Sequence, residues 1–139
     1  MQAEEKAPIP AGKMRVAVIT PEGAAFEGFA VDVVLTAHDG EIAFLPGHAP
    51  FVGALGTGEL RVRGDAGVDR YFLDGGVVQV VDNEVSILAE KVERAAEVKA
   101  DDARRELDEA LAEVPTDDEA FAAKDHAVER ARARLRIAP

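Results

Sequence analysis

Few residues in this chain of 139 could carry out a reaction, and they do not converge on one. The three histidines (His38, His48 and His126) form no HxxH or HExxH pair, so a histidine metal cluster is not expected. The single serine, Ser86, lies in a segment predicted to be a strand, where a nucleophile is poorly placed. The absence of cysteine excludes a disulfide, a thiolate metal site and a cysteine nucleophile. We therefore expect no catalytic residue and no metal site.

Cofactor and nucleic-acid binding find little support in the sequence. The glycine-containing segment 53–58 has no lysine and no helix after it, so it predicts a loop between strands rather than a phosphate loop. The acidic pairs in 101–102 and 117–119 are typical of solvated helix faces. A net charge of −11 argues against unaided binding to nucleic acid or to an anionic membrane. No cofactor is expected, and a binding or mechanical role is favoured.

The most unusual segment is Leu45-Pro46-Gly47-His48-Ala49-Pro50, which directly follows an apolar run. Proline fixes φ and glycine permits a tight bend, so the segment predicts a rigid, well-shaped loop. Such stiffness indicates a surface that is presented to a partner. The alternative is that His48 only packs against its neighbours.

A second unusual feature is the basic end of the chain, which carries Arg130, Arg132, Arg134 and Arg136 and no acidic residue after position 129. Arginine at a helix C-terminus is explained in part by the helix dipole. A spacing of two residues distributes the four side chains around the helix. That distribution suits insertion between acidic surfaces better than docking on one flat face.

The elements that must position these residues fall into two kinds. Residues 14–89 contain short apolar runs broken by Gly, Pro, Asp and Asn, as in the alternating segment 59–63, and predict an antiparallel sandwich or barrel. The predicted strands include 15–20, 29–36, 41–45, 68–73, 77–81 and 84–88, with turns that include 74–76 and 82–83.

From residue 90 the apolar period becomes helical. A first helix is expected to end at Val114, before Pro115, and a second to run to about Arg136. Thr116 is the expected N-cap of the second helix, with Glu119 completing a capping box. The short break predicts an antiparallel hairpin. The predicted organisation is a flexible extension at 1–13, a β-sandwich domain at 14–89 and a two-helix hairpin at 90–139. No apolar run is long enough to span a bilayer.

Several segments resemble the epsilon subunit family of proton-translocating ATP synthases. Gly40-Glu41, followed by an apolar strand and by Leu45 to Pro50, matches the hallmark of that family. The glycine pair that opens the apolar strand 75–80 is a second match, and the strands entering 20–22 and ending at 87–90 are also similar. The resemblance covers roughly residues 14–137.

The resemblance implies a fold and a role. The fold is an N-terminal all-β sandwich of about ten antiparallel strands, followed by a C-terminal antiparallel α-helical hairpin. The role is that of a non-catalytic subunit of the central stalk, whose sandwich holds the gamma subunit and sits on the ring of c subunits. The residues facing that ring would be Glu41, Pro46, Gly47 and His48. Through the complex, the chain would be peripheral to the cytoplasmic face of a bacterial inner membrane.

The resemblance also implies regulation by the hairpin. Extended along gamma, the hairpin would bring the tip at Arg130 to Arg136 among the catalytic alpha and beta subunits and inhibit ATP hydrolysis. Nucleotide binding stays unassigned, because Lys99 and Asp102 stand where the family's nucleotide motif has Asp and Arg. The alternative function is a free-standing β-sandwich module that binds a small ligand; an enzyme is the least favoured reading.

Overall fold

A computed structural model describes residues 6–139 of the chain. A β-sandwich is followed by two helices, which confirms the predicted fold class. A short 3-10 turn at Ala95–Glu97 joins the sandwich to the first helix. The elements in chain order are β1 (Met14–Thr20), β2 (Gly23–Ala30), β3 (Asp32–Ala37), β4 (Gly40–Phe44), β5 (Phe51–Gly64), β6 (Gly67–Val81), β7 (Glu84–Arg94), α1 (Ala100–Ala112) and α2 (Asp118–Ile137).

The described strands form one seven-stranded sheet in the order β2-β1-β7-β6-β5-β3-β4. The number of about ten strands, which the family resemblance implies, is higher than the seven described. Runs that turn residues separate in the sequence form single long strands in the structure. The runs 68–73 and 77–81 are the two halves of β6, and β7 continues past residue 88 to Arg94. Conversely, the predicted strand 29–36 is divided between β2 and β3 at Val31.

The sheet folds back on itself where β5 and β6 bend. Pairing between these strands passes from Ala54–Val77 to Thr57–Asp74 and skips the residues between. Gly75 and Gly76 lie there with φ of 75° and 128°, a region that favours glycine. The fold brings Phe26 of β2 against Tyr71 of β6, with ring centroids 6.3 Å apart. The sandwich is therefore built from one sheet with two bent strands.

The glycine-containing segment 53–58, predicted as a loop, lies inside β5. The loop prediction was wrong because these glycines allow close approach of a neighbouring strand rather than a turn. A Cβ at Gly56 would lie 2.6 Å from the carbonyl oxygen of Ala37 on β3. The glycine at this position thus lets β3 and β5 pair across the bend.

One strand pair departs from the predicted antiparallel arrangement. β1 and β7 are parallel, with Val16 opposite Val85 and Val18 opposite Ile87. Parallel neighbours require a long connection, which the five intervening strands provide. The first and last strands of the sandwich are therefore direct neighbours.

The core lies between the folded halves of the sheet and follows from alternation along each strand. Met14, Val16 and Val18 of β1 are fully buried, while Arg15 and Ala17 between them point outward. Burying an aliphatic side chain of this size stabilises the fold by about 1.5–3 kcal/mol. Further core residues are Val33, Leu35, Phe44, Leu60, Tyr71, Leu73, Val78 and Ile87.

Helix α2 packs on the outer face of the sandwich around a second, smaller apolar cluster, and α1 packs against α2. Phe72 of β6, together with Ala95 and Val98, meets Ala133 and Ile137 of α2. Helix α2 begins one residue later than predicted, since Asp117 rather than Thr116 is its N-cap. The Asp117 carboxylate accepts a hydrogen bond from the amide of Ala120 at 2.7 Å. Aspartate is at least as good an N-cap as threonine. None of the helices described within residues 6–139 combines the length and apolar character required to cross a membrane.

The residues just before β1 contact the sandwich through charged groups. Lys6 lies 3.5 Å from the carboxylate of Glu84, and Lys13 pairs with Asp65. Arg15 donates a hydrogen bond to the carbonyl of Ala7. The first five residues of the extension predicted at 1–13 lie outside the described residues.

Candidate functional site

The proline-bounded loop follows β4 and leads into β5. Its bend is closed by a hydrogen bond from the amide of His48 to the carbonyl of Leu45 at 3.0 Å. Gly47 adopts φ of 85°, which favours glycine at this position. The Leu45 side chain is 55% exposed. The loop is thus tightly turned and presents apolar surface to the outside.

The His48 ring is half-buried against two aromatic residues. Its centroid lies 5.0 Å from that of Phe44 and 6.3 Å from that of Phe51, both edge-on. Nδ1 lies 2.7 Å from the carbonyl oxygen of Ala49. The His48 ring therefore packs against its neighbours and still leaves one side accessible. The two interpretations of this residue, packing and a surface presented to a partner, do not exclude each other.

A residue missed by sequence reasoning supports this loop. The side-chain oxygen of Asn83, in the turn between β6 and β7, accepts a hydrogen bond from the amide of Gly47 at 2.7 Å. The pair Asp82-Asn83 was recognisable as a turn, but nothing in the sequence connects it to a residue 36 positions earlier. Only the sheet order brings the two together.

Glu41 does not lie beside Pro46, Gly47 and His48. It lies near the start of β4, whereas the loop follows the end of that strand. Glu41 pairs with Arg61 at 3.5 Å and lines a cleft that also contains Arg136 and Ile137 of α2. The predicted ring-facing residues thus occupy two places on the sandwich.

An apolar row crosses the outer face of five neighbouring strands. Cross-strand pairing places Ile19 opposite Leu88 and Leu88 opposite Val77. Ala24 extends the row at the β2 side and Ala54 at the β5 side. Leu88 is 55% exposed and Val77 is 44% exposed. An apolar row of this kind on a sheet face is typical of a protein-protein contact.

The four arginines of the predicted tip divide into two kinds. Arg134 is only 12% exposed and holds Glu93 of β7 and Glu106 of α1, at 3.1 and 2.6 Å. Arg130 lies 3.7 Å from the buried carboxylate of Asp74. Arg132 and Arg136 are exposed. Arg130 and Arg134 are therefore paired with acidic groups, whereas Arg132 and Arg136 are exposed, with Arg136 beside the cleft that contains Glu41.

Electrostatics favour the docked position of α2. Burial lowers the pKa of Arg134, but the hydrogen bonds that its guanidinium donates to Glu93 and Glu106 more than reverse this, so its pKa is raised. The Asp74 carboxylate also accepts a hydrogen bond from Thr57 at 2.9 Å, and Nε2 of His126 lies 3.2 Å from it. The hairpin is thus held to the sandwich by charged groups as well as by the Phe72 cluster.

The described side chains form surfaces rather than a reaction centre. Within residues 6–139, no group of three His, Asp or Glu side chains is arranged to hold a metal ion. A cleft of about 630 Å³ opens between the sandwich and the helices, where Lys91, Arg130 and Arg134 alternate with Glu90 and Glu93. Charges of both signs face each other there, so the cleft favours neither an anion nor a cation.

Comparison with known proteins identifies the lineage. A family profile described as "ATP synthase, Delta/Epsilon chain, beta-sandwich domain" matches residues 13–95. The ATP synthase epsilon chain of Rhodopirellula baltica is 39% identical over 123 residues, covering 88% of this chain and 96% of that protein. The ATP synthase epsilon chain of Synechococcus elongatus is 38% identical over 130 residues, covering 90% and 94%.

Solved structures share the fold at lower identity. A chain in the cryo-EM structure of Euglena gracilis mitochondrial ATP synthase, OSCP/F1/c-ring, superposes with a TM-score of 0.81 at 21% identity, covering 96% of this chain and 85% of that one. A chain of the Tetrahymena thermophila mitochondrial ATP synthase central stalk/c-ring gives 0.72 at 18% identity, covering 91% and 97%. On the profile match and these relatives, the chain belongs to the family of ATP synthase epsilon chains.

Proposed function

We propose that the chain is a non-catalytic rotor subunit of a proton-translocating ATP synthase. In the central stalk it couples proton flow through the c-subunit ring to ATP synthesis. The observation that carries this proposal is the 39% identity to an ATP synthase epsilon chain across 88% of the chain. The match spans sandwich and hairpin together, which favours this role over a free-standing ligand-binding module.

The sandwich, proposed as the domain at 14–89, carries the two stalk contacts. The Pro46–Pro50 loop is the proposed ring contact, since it is tightly turned and presents Leu45 outward. Ordered loops lose little conformational freedom on docking, which suits a contact that transmits torque. Glu41, whose side chain is 61% exposed, is a second ring-facing candidate at the other end of β4.

The apolar row through Ile19, Leu88 and Val77 is the proposed gamma contact. Its exposed aliphatic side chains require a partner surface that excludes water. The β2 end of the row reaches the cleft beside α2, because Ala24 lines that cleft together with Phe72. Ile19, Leu88 and Val77 lie outside the cleft, so gamma would bind mainly through these three side chains.

The hairpin of α1 and α2, which lies within the region 90–139, is the proposed regulatory element. Its docked position is held by Arg134 and Asp74 and by a small apolar cluster around Phe72. A contact of this size is compatible with two states a few kcal/mol apart. In the extended state, Arg130, Arg132, Arg134 and Arg136 would reach acidic surfaces of the alpha and beta subunits and inhibit ATP hydrolysis.

The proposed location follows from the assembly. A stalk subunit bound to the c ring is peripheral to the membrane through the complex. We propose the cytoplasmic face of a bacterial inner membrane, and the similarity to epsilon chains of bacteria supports this location.

Co-purification with the gamma subunit and the c ring tests the role. Leu88→Asp should abolish gamma binding, because it places a charge in the centre of the apolar row. Ser86→Asp is the matched control, since Ser86 is exposed on the same face of the same strand, two residues away. A wild-type chain that binds neither gamma nor the ring would overturn the proposal.

A further inference from the structure

The ring-contact loop and the turn between β6 and β7 are joined through one residue. The side-chain oxygen of Asn83 accepts a hydrogen bond from the amide of Gly47 at 2.7 Å. The backbone carbonyl of Asn83 accepts a second hydrogen bond from the amide of Arg15 at 2.8 Å. Asn83 thus links the loop after β4, the β6–β7 turn and the beginning of β1.

The residue type fits this position. Asn83 has φ of 59° and Asp82 has φ of 49°, so both lie in the left-handed region. Two consecutive residues of this conformation form the type I′ turn that suits a two-residue hairpin. Asparagine tolerates this backbone better than most residues and carries an oxygen on a short side chain. One residue therefore satisfies both the turn and the contact with Gly47.

The loop needs such a contact in order to hold a fixed orientation. Pro46 and Pro50 fix φ at its two ends, and the bond from His48 to Leu45 closes its bend. These restraints are internal to the loop and do not fix how it sits on the sandwich. The His48 ring, packed on Phe44, fixes one side of the loop. The Gly47–Asn83 hydrogen bond reaches from the loop to a different strand pair.

We propose that Asn83 is a positioning residue that fixes the Pro46–Pro50 loop to the end of the sheet, so that the loop and the β6–β7 turn meet the ring as one rigid surface. This inference rests on the proposed function, because it concerns the same ring contact. Through Asn83, a load on the loop passes directly into β6, β7 and β1, the middle of the sheet.

The test replaces the side chain and leaves the turn intact. Asn83→Gly removes the acceptor oxygen and keeps a residue that adopts positive φ freely. Loss of one hydrogen bond should make hydrogen exchange at the Gly47 amide about three- to tenfold faster. In the full complex, Asn83→Gly should also reduce the number of protons pumped per ATP hydrolysed. Unchanged exchange at Gly47, or unchanged pumping, would overturn the inference.

Two further variants separate the contact from the turn. Asn83→Asp keeps an acceptor oxygen. Hydrogen exchange at the Gly47 amide and proton pumping should therefore both stay near their wild-type values. Asp82→Gly changes the neighbouring residue of the same turn, which also has positive φ, and leaves the Asn83 side chain in place. The hydrogen exchange at Gly47 and the proton pumping should therefore stay unchanged. Equal effects of Asp82→Gly and Asn83→Gly would show that only the turn matters, and the inference would fail.

Two measurements keep the test decisive. If Asn83→Gly fails to fold, the hydrogen bond can be tested in the unmodified chain by NMR. A scalar coupling between the Gly47 nitrogen and the Asn83 side-chain carbonyl is then expected, and absence of this coupling counts against the inference. A loop variant, Pro46→Gly with Pro50→Gly, tests the proposed function separately. If the loop variant lowers pumping and Asn83→Gly does not, only the positioning role fails. If neither variant lowers pumping, the loop is not the contact with the ring.

Discussion

The carboxylate of Asp74 lies 3.2 Å from Nε2 of His126, which joins a buried acid of β6 to helix α2. The Asp74 side chain is only 7% exposed, and Thr57 and Arg130 complete its surroundings. Leaving a buried carboxylate without partners is strongly unfavourable. Undocking of α2 removes two of the three partners, so the state of the hairpin and the solvation of Asp74 are coupled.

Asp74→Asn should loosen the docked hairpin. Asparagine keeps an oxygen for Thr57 but loses the charge that attracts Arg130. The charge also strengthens the hydrogen bond with His126. Because hydrogen bonds to charged groups contribute about 1.5–3 kcal/mol, amide exchange along α2 should accelerate by about tenfold or more. Asp69→Asn, an exposed position on the same strand, is the control and should leave exchange unchanged. Equal protection of α2 in both variants would contradict the coupling.

Arg134→Ala should undock the hairpin more completely than Arg132→Ala. Arg134 holds a residue of β7 and a residue of α1 at once, whereas Arg132 is exposed. We expect a loss of about 2 kcal/mol or more of docking free energy for Arg134→Ala and nearly none for Arg132→Ala. Protease cleavage between Val98 and Ala100 reports the difference, since this segment joins the sandwich to α1.

The docked contact and the exposed arginine Arg132 should have opposite effects on ATP hydrolysis by the complex. Glu93→Gln weakens the docked state and keeps all four tip arginines, so a hairpin that inhibits when extended should inhibit more strongly. Arg132→Ala leaves the docked contacts with Glu93 and Glu106 in place and removes an exposed charge of the tip, so inhibition should weaken. Steady-state ATPase rates of reconstituted complexes measure both. A change of the same sign in both variants would argue against the two-state hairpin.

The environment of Glu59 predicts that the folded protein becomes less stable in acid. Burial raises the pKa of the Glu59 carboxyl, but hydrogen bonds and charges from Arg70 and Arg61 more than reverse this, so its pKa lies below the ordinary value of 4.5. A pKa that is lower in the folded state contributes stability that is fully present above pH 4.5 and is lost as the pH falls through the folded value.

Glu59→Gln should therefore reduce the free energy of unfolding by about 1–2 kcal/mol at neutral pH and by less in acid. Urea unfolding of both chains at several pH values gives the comparison. Glu27→Gln, at an exposed position of β2, is the control. A constant difference between Glu59→Gln and wild type across the acid range would contradict the assignment.

Gly76→Ala should destabilise the sandwich where β6 bends. Gly76 has φ of 128°, and an added Cβ would collide with the carbonyl oxygen of Leu88. Gly67→Ala is the matched control, because Gly67 has φ of 136° and open space around the added carbon. We expect a loss of about 2 kcal/mol or more for Gly76→Ala and less for Gly67→Ala, measured by thermal unfolding. Equal losses would show that backbone strain alone acts at Gly76.

The spacing of apolar residues along the sequence was enough to predict the strands and the two helices, and the prolines were enough to predict the loop at Pro46–Pro50. The alternation of Leu60 and Val62 identifies a half-buried strand, and both residues are buried. The helical period predicted the C-terminal ends of both helices within a few residues, but its start at residue 90 was too early, because β7 continues to Arg94 and α1 begins at Ala100. The N-cap was misplaced by one residue because Thr116 and Asp117 are both good caps and only the backbone decides between them.

Contacts between distant residues could not be predicted from the same patterns. The bond from Gly47 to Asn83 spans 36 positions, and those from Arg134 to Glu93 and Glu106 span 41 and 28. Each depends on sheet order and on where α2 lies, neither of which has a local signature. Glycines within a strand and within a turn also look alike in sequence, which is why segment 53–58 was predicted as a loop.

The parallel pairing of β1 with β7 has a mechanical consequence. The first half of the strand that leads into the helices, residues 84–88, is hydrogen-bonded on both sides, by β1 and by β6, whereas the rest, up to Arg94, pairs with β6 alone. A pull along this strand would therefore meet bonds on both sides only from Leu88 inward, where they would have to shear together rather than open one at a time. Movement of the helices could loosen the end of β7, but the doubly bonded half would protect the rest of the sheet.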